Sequence, residues 1–325
     1  MRIAFYEKNG AAADVLRFGT MNDPKPGPGE VRVKLKTSGV NPSDVKTRAG
    51  LTRKMAFPRV VPHSDGAGVI DMVGLGVPDR RMGERVWIWN GQWKRPMGTA
   101  AEYIVLSEAQ AVRLPAPVSF EAGACLGIPA LTAWHAVELA DASADKTLLV
   151  AGGAGAVAHY AIQFAKARGA KVIATVSSDA KAKIAREAGA DHTIDYKSEN
   201  VGERVMAITA KRGADAVIEV DLTANAALIP SVLRPKGSVV VYGTGPQAQI
   251  ASSFCLVNSI KLLFMLVYEL SPEERRRAVD GITRMLEQGK LAHQVGATFP
   301  FDQIVAAHEA QELGKTTGNI VLKFA

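Results

Sequence analysis

Cysteine is scarce in this 325-residue chain, where only Cys125 and Cys255 occur. Two thiols cannot build a disulfide-dense secreted scaffold or a metal site of three or four thiolates. Both read as small buried hydrophobes, since Cys125 lies in Ala124-Cys125-Leu126-Gly127. Long apolar runs are also rare. The one uncharged stretch long enough to raise a membrane span, Thr147 to Ala165, carries Gly152, Gly153, Gly155, His159 and Gln163 and few large aliphatics. It reads as a buried strand, a glycine turn and a small-residue helix, and no membrane partner is expected. Charge at Arg2, Glu7 and Lys8 precedes any apolar segment, so no secretory leader is expected and a cytoplasmic location is. No internal repeat, Ser/His/Asp hydrolase pattern or paired-carboxylate site stands out.

What is there is a globular composition, 47% hydrophobic and 22% charged, on a chain longer than one core usually organises, which predicts two domains. The net charge is +7, and residues 1–122 hold most of the excess, with 18 basic against 12 acidic side chains. Lys46, Arg48, Arg53, Lys54 and Arg59 follow one another there without an intervening acid, which reads first as a solvated surface loop.

The first third alternates with period two and is punctuated by Pro and Gly. Examples are Val31-Arg32-Val33-Lys34-Leu35-Lys36, Gly66 to Ile70 and Arg85 to Trp89, which predict an antiparallel β region. From about residue 120 the pattern changes. β-Branched runs at Leu148–Val150, Lys171–Val176, His192–Tyr196, Ala214–Glu219 and Ser238–Gly243 alternate with helical stretches, which predicts a parallel, doubly wound sheet. The end of the chain predicts a helix capped by Ser271 with Pro272 at its first position, a helix over Gln303 to Leu313 and a strand over Asn319 to Lys323.

After Val150 comes Gly153-Ala154-Gly155-Ala156-Val157-Ala158, a Gly-x-Gly-x-x-Ala turn opening a helix. Gly153 suits the tight turn, Gly155 suits close approach to a pyrophosphate, and a small third residue suits helix-to-strand packing. At the end of the next strand stand Ser177, Ser178 and Lys181. Two hydroxyls and an ammonium suit a ribose 2′-phosphate, so NADP(H) is the expected cofactor. Asp179 reads as the cap of the following helix, although a small register shift would bring it to the ribose as in an NAD enzyme.

With that turn in mid-chain behind a β-rich front, the sequence resembles the medium-chain dehydrogenase/reductase superfamily, and within it the zinc-independent quinone oxidoreductases of the ζ-crystallin type. The marks are Gly39-Val40-Asn41-Pro42-Ser43-Asp44 with Arg48 and Gly50, Pro62-His63-Ser64-Asp65-Gly66-Ala67-Gly68-Val69, Gly83-Glu84-Arg85-Val86, Ala101-Glu102-Tyr103, Gly127-Ile128-Pro129 with Thr132-Ala133, and Gly314 to Gly318 before Asn319-Ile320-Val321-Leu322. The resemblance implies a Rossmann dinucleotide-binding domain at 123–264 inserted in a GroES-like catalytic domain made of 1–122 and 265–325. It also implies a homodimer.

The zinc-dependent branch of the superfamily places Cys, His and Cys at positions that here read Asn41, Ser64 and Ile128, and His63 is one place out of register. What remains is metal-free hydride transfer from NADPH to an electrophilic acceptor, with a quinone expected first. An enone, alkenal or enoyl thioester would use the same residues, and a non-catalytic or RNA-binding role has only the basic front third behind it. The resemblance puts Asn41 and Thr132 beside the nicotinamide. It assigns cofactor contacts to Gly153, Gly155, Ala156, Val157, Ser177, Ser178, Lys181, Tyr196, Gly243, Thr244 and Asn319. Lys46 stands where relatives carry a tyrosine and Ala130-Leu131 where they carry an aromatic pair, so Trp89, Trp93, Trp134 and Tyr268 are the candidates to line the acceptor. A substrate with an acidic tail is the corresponding reading of Lys46, Arg53 and Lys54.

Overall fold

A computed structural model of the chain describes every residue except Arg53 and Ala325. The chain forms two compact units, Met1–Pro129 with Val279–Ala325, and Ala130–Ala278. Both junctions lie later than the expected 122/123 and 264/265. Gly127 sits so close to Asp65 and Ile88 that it keeps the Leu126–Ala130 π-helical turn with the first unit up to Pro129. At the second junction, the Arg275 guanidinium donates to the Val267 and Tyr268 carbonyls and holds the start of the Pro272–Glu287 helix to the second unit.

The first unit begins with β1 (Arg2–Phe5), β2 (Arg17–Thr20), β3 (Glu30–Val40), β4 (Asp65–Val73), β5 (Arg85–Ile88), β6 (Tyr103–Ser107) and β7 (Ala111–Arg113). Val31, Val33 and Leu35 alternate inward along β3 and pack with Ile70, Val86, Ile88, Ile104 and Leu106. Each such side chain contributes roughly 1.5–3 kcal/mol of burial. From Thr37 to Val40 the alternation ends and every residue is buried. A Cβ on Gly39 would lie 2.3 Å from the Ala124 carbonyl oxygen, so only glycine lets these backbones approach.

The second unit holds β8 (Thr147–Val150), β9 (Lys171–Val176), β10 (His192–Asp195), β11 (Ala214–Glu219), β12 (Leu233–Val241) and β13 (Lys261–Phe264). They form one parallel sheet in the order β10-β9-β8-β11-β12-β13. This is the doubly wound dinucleotide-fold order, and its reversal point lies between β8 and β11. Five of these strands are legible as apolar runs. The sixth, β13, is short and half-exposed at the sheet edge, so its pattern is weak.

The chain returns to the first unit with β14 (Val295–Pro300) and β15 (Asn319–Lys323), which extend its sheet in the order β14-β15-β3-β4-β5-β7, with β6 on β3. β15 and the Ile304–Leu313 helix fall where the sequence places them. Ser271 and Glu274 exchange the reciprocal bonds of a capping box ahead of Pro272.

Candidate active site

The strand-to-helix turn after β8 differs from expectation in which glycine does what. Gly152, not Gly153, takes the left-handed conformation, at φ +66°. Gly153 is needed for packing instead, because a Cβ there would meet the Ala174 and Ala185 methyls at 2.7 and 3.1 Å. Gly155 caps the Ala156–Ala167 helix, whose first N–H groups, from Ala156 and Val157 onward, are the orphan donors of a helix start. Thr175 fixes the turn by accepting the Gly152 N–H on its hydroxyl at 3.0 Å.

Around this turn, at the C-terminal ends of β8, β9 and β11, lies a cavity of about 280 Å³. Its lining includes Gly152, Thr175, Tyr196, Val201, Glu219 and Leu228. Tyr196 presents an exposed ring there, 52% accessible. Glu219 was not singled out from sequence. Burial raises its pKa, while N–H bonds from Asp221 and Asn225 work against that shift. Gly243 brings the end of β12 against Val220 of the lining, since a Cβ would meet the Val220 carbonyl oxygen at 1.9 Å. Thr244 pairs its hydroxyl with Thr223.

Beyond β9 the expected trio is present with its roles redistributed. The Ser178 hydroxyl accepts the Lys181 N–H and is the N-cap of the Asp179–Glu187 helix; Asp179 is its first residue, not its cap. The Lys181 ammonium lies 3.1 Å from the Ser177 hydroxyl. The charged group of the trio therefore sits with Ser177.

In the first unit, Asn41 follows β3 directly as the N-cap of the Pro42–Ala49 helix and is buried. Its backbone N–H donates to the Asp44 carboxylate at 2.8 Å, and its side-chain amide donates to Asp65 Oδ2 at 2.9 Å. Asp65 is fully buried; desolvation and then the Asp44 charge push its pKa well up, against the Asn41 bond. Its other oxygen, Oδ1, faces Gly127, and a backbone N–H bond from Ile128 also works against the upward shift. Asp65 lies inside the Pro62-to-Val69 motif, yet only the fold brings its side chain to Asn41.

The remaining candidates separate. Lys46 is exposed on the Asn41 helix, and Lys54 is exposed. Arg53 lies outside the described residues. Arg48 is not a solvated cation: it is fully buried and bonds the Gly10 carbonyl and Glu312. Arg59 pairs with Glu7 and stacks over Phe5. Trp93 is half-buried with the Lys94 ammonium over its ring, and Trp89 donates to the Ala109 carbonyl. In the second unit Thr132 is buried on the Leu131–Leu139 helix, Tyr268 is buried, and Trp134 packs against Phe164 under Arg168. Asn319 spends its side-chain amide on the Gln294 carbonyl, which ties the start of β15 to the chain before β14.

Residues 27–116 match the family model of the alcohol dehydrogenase GroES-like domain, and residues 156–284 that of the zinc-binding dehydrogenases. The residues present do not fit a catalytic zinc. Asn41, Ser64 and Ile128 stand where the resemblance places the zinc ligands, and both ring nitrogens of His63 are engaged, with Ser38 and His308. A quinone oxidoreductase of Pseudomonas aeruginosa is 30% identical over 320 residues, 95% of each chain. The crystal structure of Escherichia coli quinone oxidoreductase complexed with NADPH superposes with a TM-score of 0.88 at 26% identity, covering 99% of this chain and 100% of that one. One described as an NAD-dependent alcohol dehydrogenase gives 0.90 at 29%, covering all of both. Matched end to end in sequence and fold, the chain belongs to the quinone oxidoreductases of the medium-chain dehydrogenase/reductase superfamily and is an oxidoreductase.

Proposed function

We propose that this chain is a zinc-independent NADPH:quinone oxidoreductase. The observation that carries the reading is the Asn41–Asp65 pair, an amide held at a position where zinc-dependent relatives carry a metal ligand. Asp65 occupies one hydrogen of the Asn41 amide, which fixes its plane. The second hydrogen is the donor for an acceptor oxygen that gains charge as the quinone is reduced. Because charge spreads over the quinone ring, this donor and good orientation suffice without a Lewis acid.

NADPH, when bound, supplies the hydride. The residues that would hold it are the Gly152–Val157 turn for the pyrophosphate, the Tyr196 cavity for adenine, and Ser177 with Lys181 for the 2′-phosphate. Gly243 and Thr244 shape the rim of the same unit, and Thr132 is the contact proposed for the nicotinamide. Lys181 supports NADPH over NADH, since an ammonium 3.1 Å from a hydroxyl offers an anion two donors where NADH has only a ribose hydroxyl.

The same reading includes a homodimer. Among the described residues the edge strand β13 pairs with β12 alone, and Leu256, Val257, Phe264 and Leu266 are exposed on and beside it. An open apolar edge of this kind invites pairing with a second copy.

The test is to follow NADPH and NADH oxidation with quinones, alkenals and enoyl thioesters. Quinone reduction with NADPH supports the proposal; turnover confined to NADH, or confined to the alkenes, overturns it.

A further inference from the structure

A chain of buried polar groups in the first unit runs from the Ile304–Leu313 helix to the segment that holds Asn41. His308 and His63 are both fully buried and meet through their Nε2 atoms at 2.8 Å. His63 Nδ1 lies 2.8 Å from the Ser38 hydroxyl, which lies 2.7 Å from the Thr99 hydroxyl. The Thr99 hydroxyl bonds the backbone carbonyl of Asp65, and the Asp65 carboxylate accepts the Asn41 amide.

The direction of every bond follows from the last link. A carbonyl oxygen only accepts, so the single Thr99 hydroxyl proton points to Asp65. Thr99 must then accept from Ser38, and Ser38 from His63 Nδ1–H. Neutral His63 is left with a lone pair on Nε2, which accepts from His308 Nε2–H. This tautomer assignment rests on the hydrogen-bond network. Burial keeps both imidazoles neutral, holding His63 near 3 and His308 well below its usual value. Among the described residues, His308 Nδ1 remains as an acceptor without a partner, and Arg48 Nε likewise has none.

The circuit closes on the other side. Arg48 lies on the helix headed by Asn41 and pairs with Glu312, one turn beyond His308 on its helix. Asn41 is thus held from two directions, by its own helix and by the strand that carries Asp65. His63 adopts φ +78°, a left-handed conformation uncommon for a residue with a side chain. That backbone aims its ring into the chain, and the bonds at both nitrogens offset the strain.

We propose that His308 is a positioning residue for Asn41, acting through His63, Ser38 and Thr99 on the backbone of Asp65. The chain ends on a carbonyl oxygen, which cannot pass a proton onward, so it carries orientation and not protons. The inference rests on the reading of Asn41 as the oxygen donor.

The experiment is a double-mutant cycle on the full-length protein with NADPH and a neutral quinone. Thr99→Val and His308→Leu should each lower kcat about tenfold and leave the NADPH KM within about twofold. Thr99→Ser and His308→Gln, which keep a donor at each position, should retain roughly half or more of kcat. Should His308→Leu fail to fold, the Thr99→Val and Thr99→Ser pair carries the same comparison. In an Asn41→Ala background Thr99→Val should cost nothing further. Multiplying losses, or Thr99→Val and His308→Leu at full kcat while Asn41→Ala is impaired, overturn the positioning role alone. Full kcat in Asn41→Ala overturns the reading of the site and this role with it.

Discussion

The side-chain amide of Asn41 donates to the carboxylate of Asp65 across 2.9 Å, and both residues are buried. Asp65 is reached from Asn41 only because β4 pairs antiparallel with β3, in a register that sets Gly39 opposite Asp65. The amide of an asparagine that also heads the capping box of its helix is thereby turned into a fixed donor.

Removing the holder should harm turnover more than cofactor binding. Asp65→Ala frees the Asn41 amide to rotate and is expected to lower kcat for quinone by about 10–100-fold, with the NADPH KM little changed. Initial rates at saturating NADPH check this. A raised NADPH KM at normal kcat would contradict it.

Lys181→Ala separates the two nicotinamide cofactors. Losing a charge-assisted contact to a 2′-phosphate should raise the KM for NADPH about 10-fold or more and leave that for NADH unchanged. Steady-state kinetics with both nucleotides decide it.

Gly127 faces a wall. A Cβ there would lie 2.3 Å from both Asp65 Oδ1 and the Ile88 carbonyl oxygen. Gly127→Ala should therefore cost about 1–3 kcal/mol of stability, read as a lowered urea midpoint, and lower kcat because the displaced carboxylate holds Asn41.

Stability should fall with acid in a defined window. Burial holds His159 near 4, and its folded value is thus depressed below the 6.5 of an unfolded chain. The unfolded state takes up the proton first, so the contribution of His159 is complete above pH 7 and is lost from about pH 6.5 down to 4. His63, held near 3, acts in the same sense over a wider range. Asp65 acts in the opposite sense, because its raised pKa favours the folded state at low pH. Urea titrations at pH 7.5 and 5 should show His159→Gln losing less than the parent chain, by on the order of 1–2 kcal/mol.

Phe264→Asp places a charge on the open β13 edge. If the proposed homodimer pairs through this edge, light scattering should read a dimer for the parent chain and a monomer for the variant, while the folded unit persists. An unchanged mass would contradict pairing through this edge.

The amino-acid sequence by itself determined the two sheet types, because period-two alternation and buried β-branched runs follow from which faces each strand must cover. It also supplied the residue identities Asn41, Ser64 and Ile128 at the positions that the resemblance assigns to zinc ligands. The tertiary structure decided the rest. Gly152 rather than Gly153 takes the left-handed turn because Ala174 and Ala185, from other elements, press on Gly153. Arg48 leaves the cationic surface because Glu312, at the other end of the chain, waits beside it. His63 finds His308 across 245 residues. A hydrogen bond depends on position to a fraction of an ångström, and for groups so far apart along the chain that position is set only once strand register and helix docking are complete.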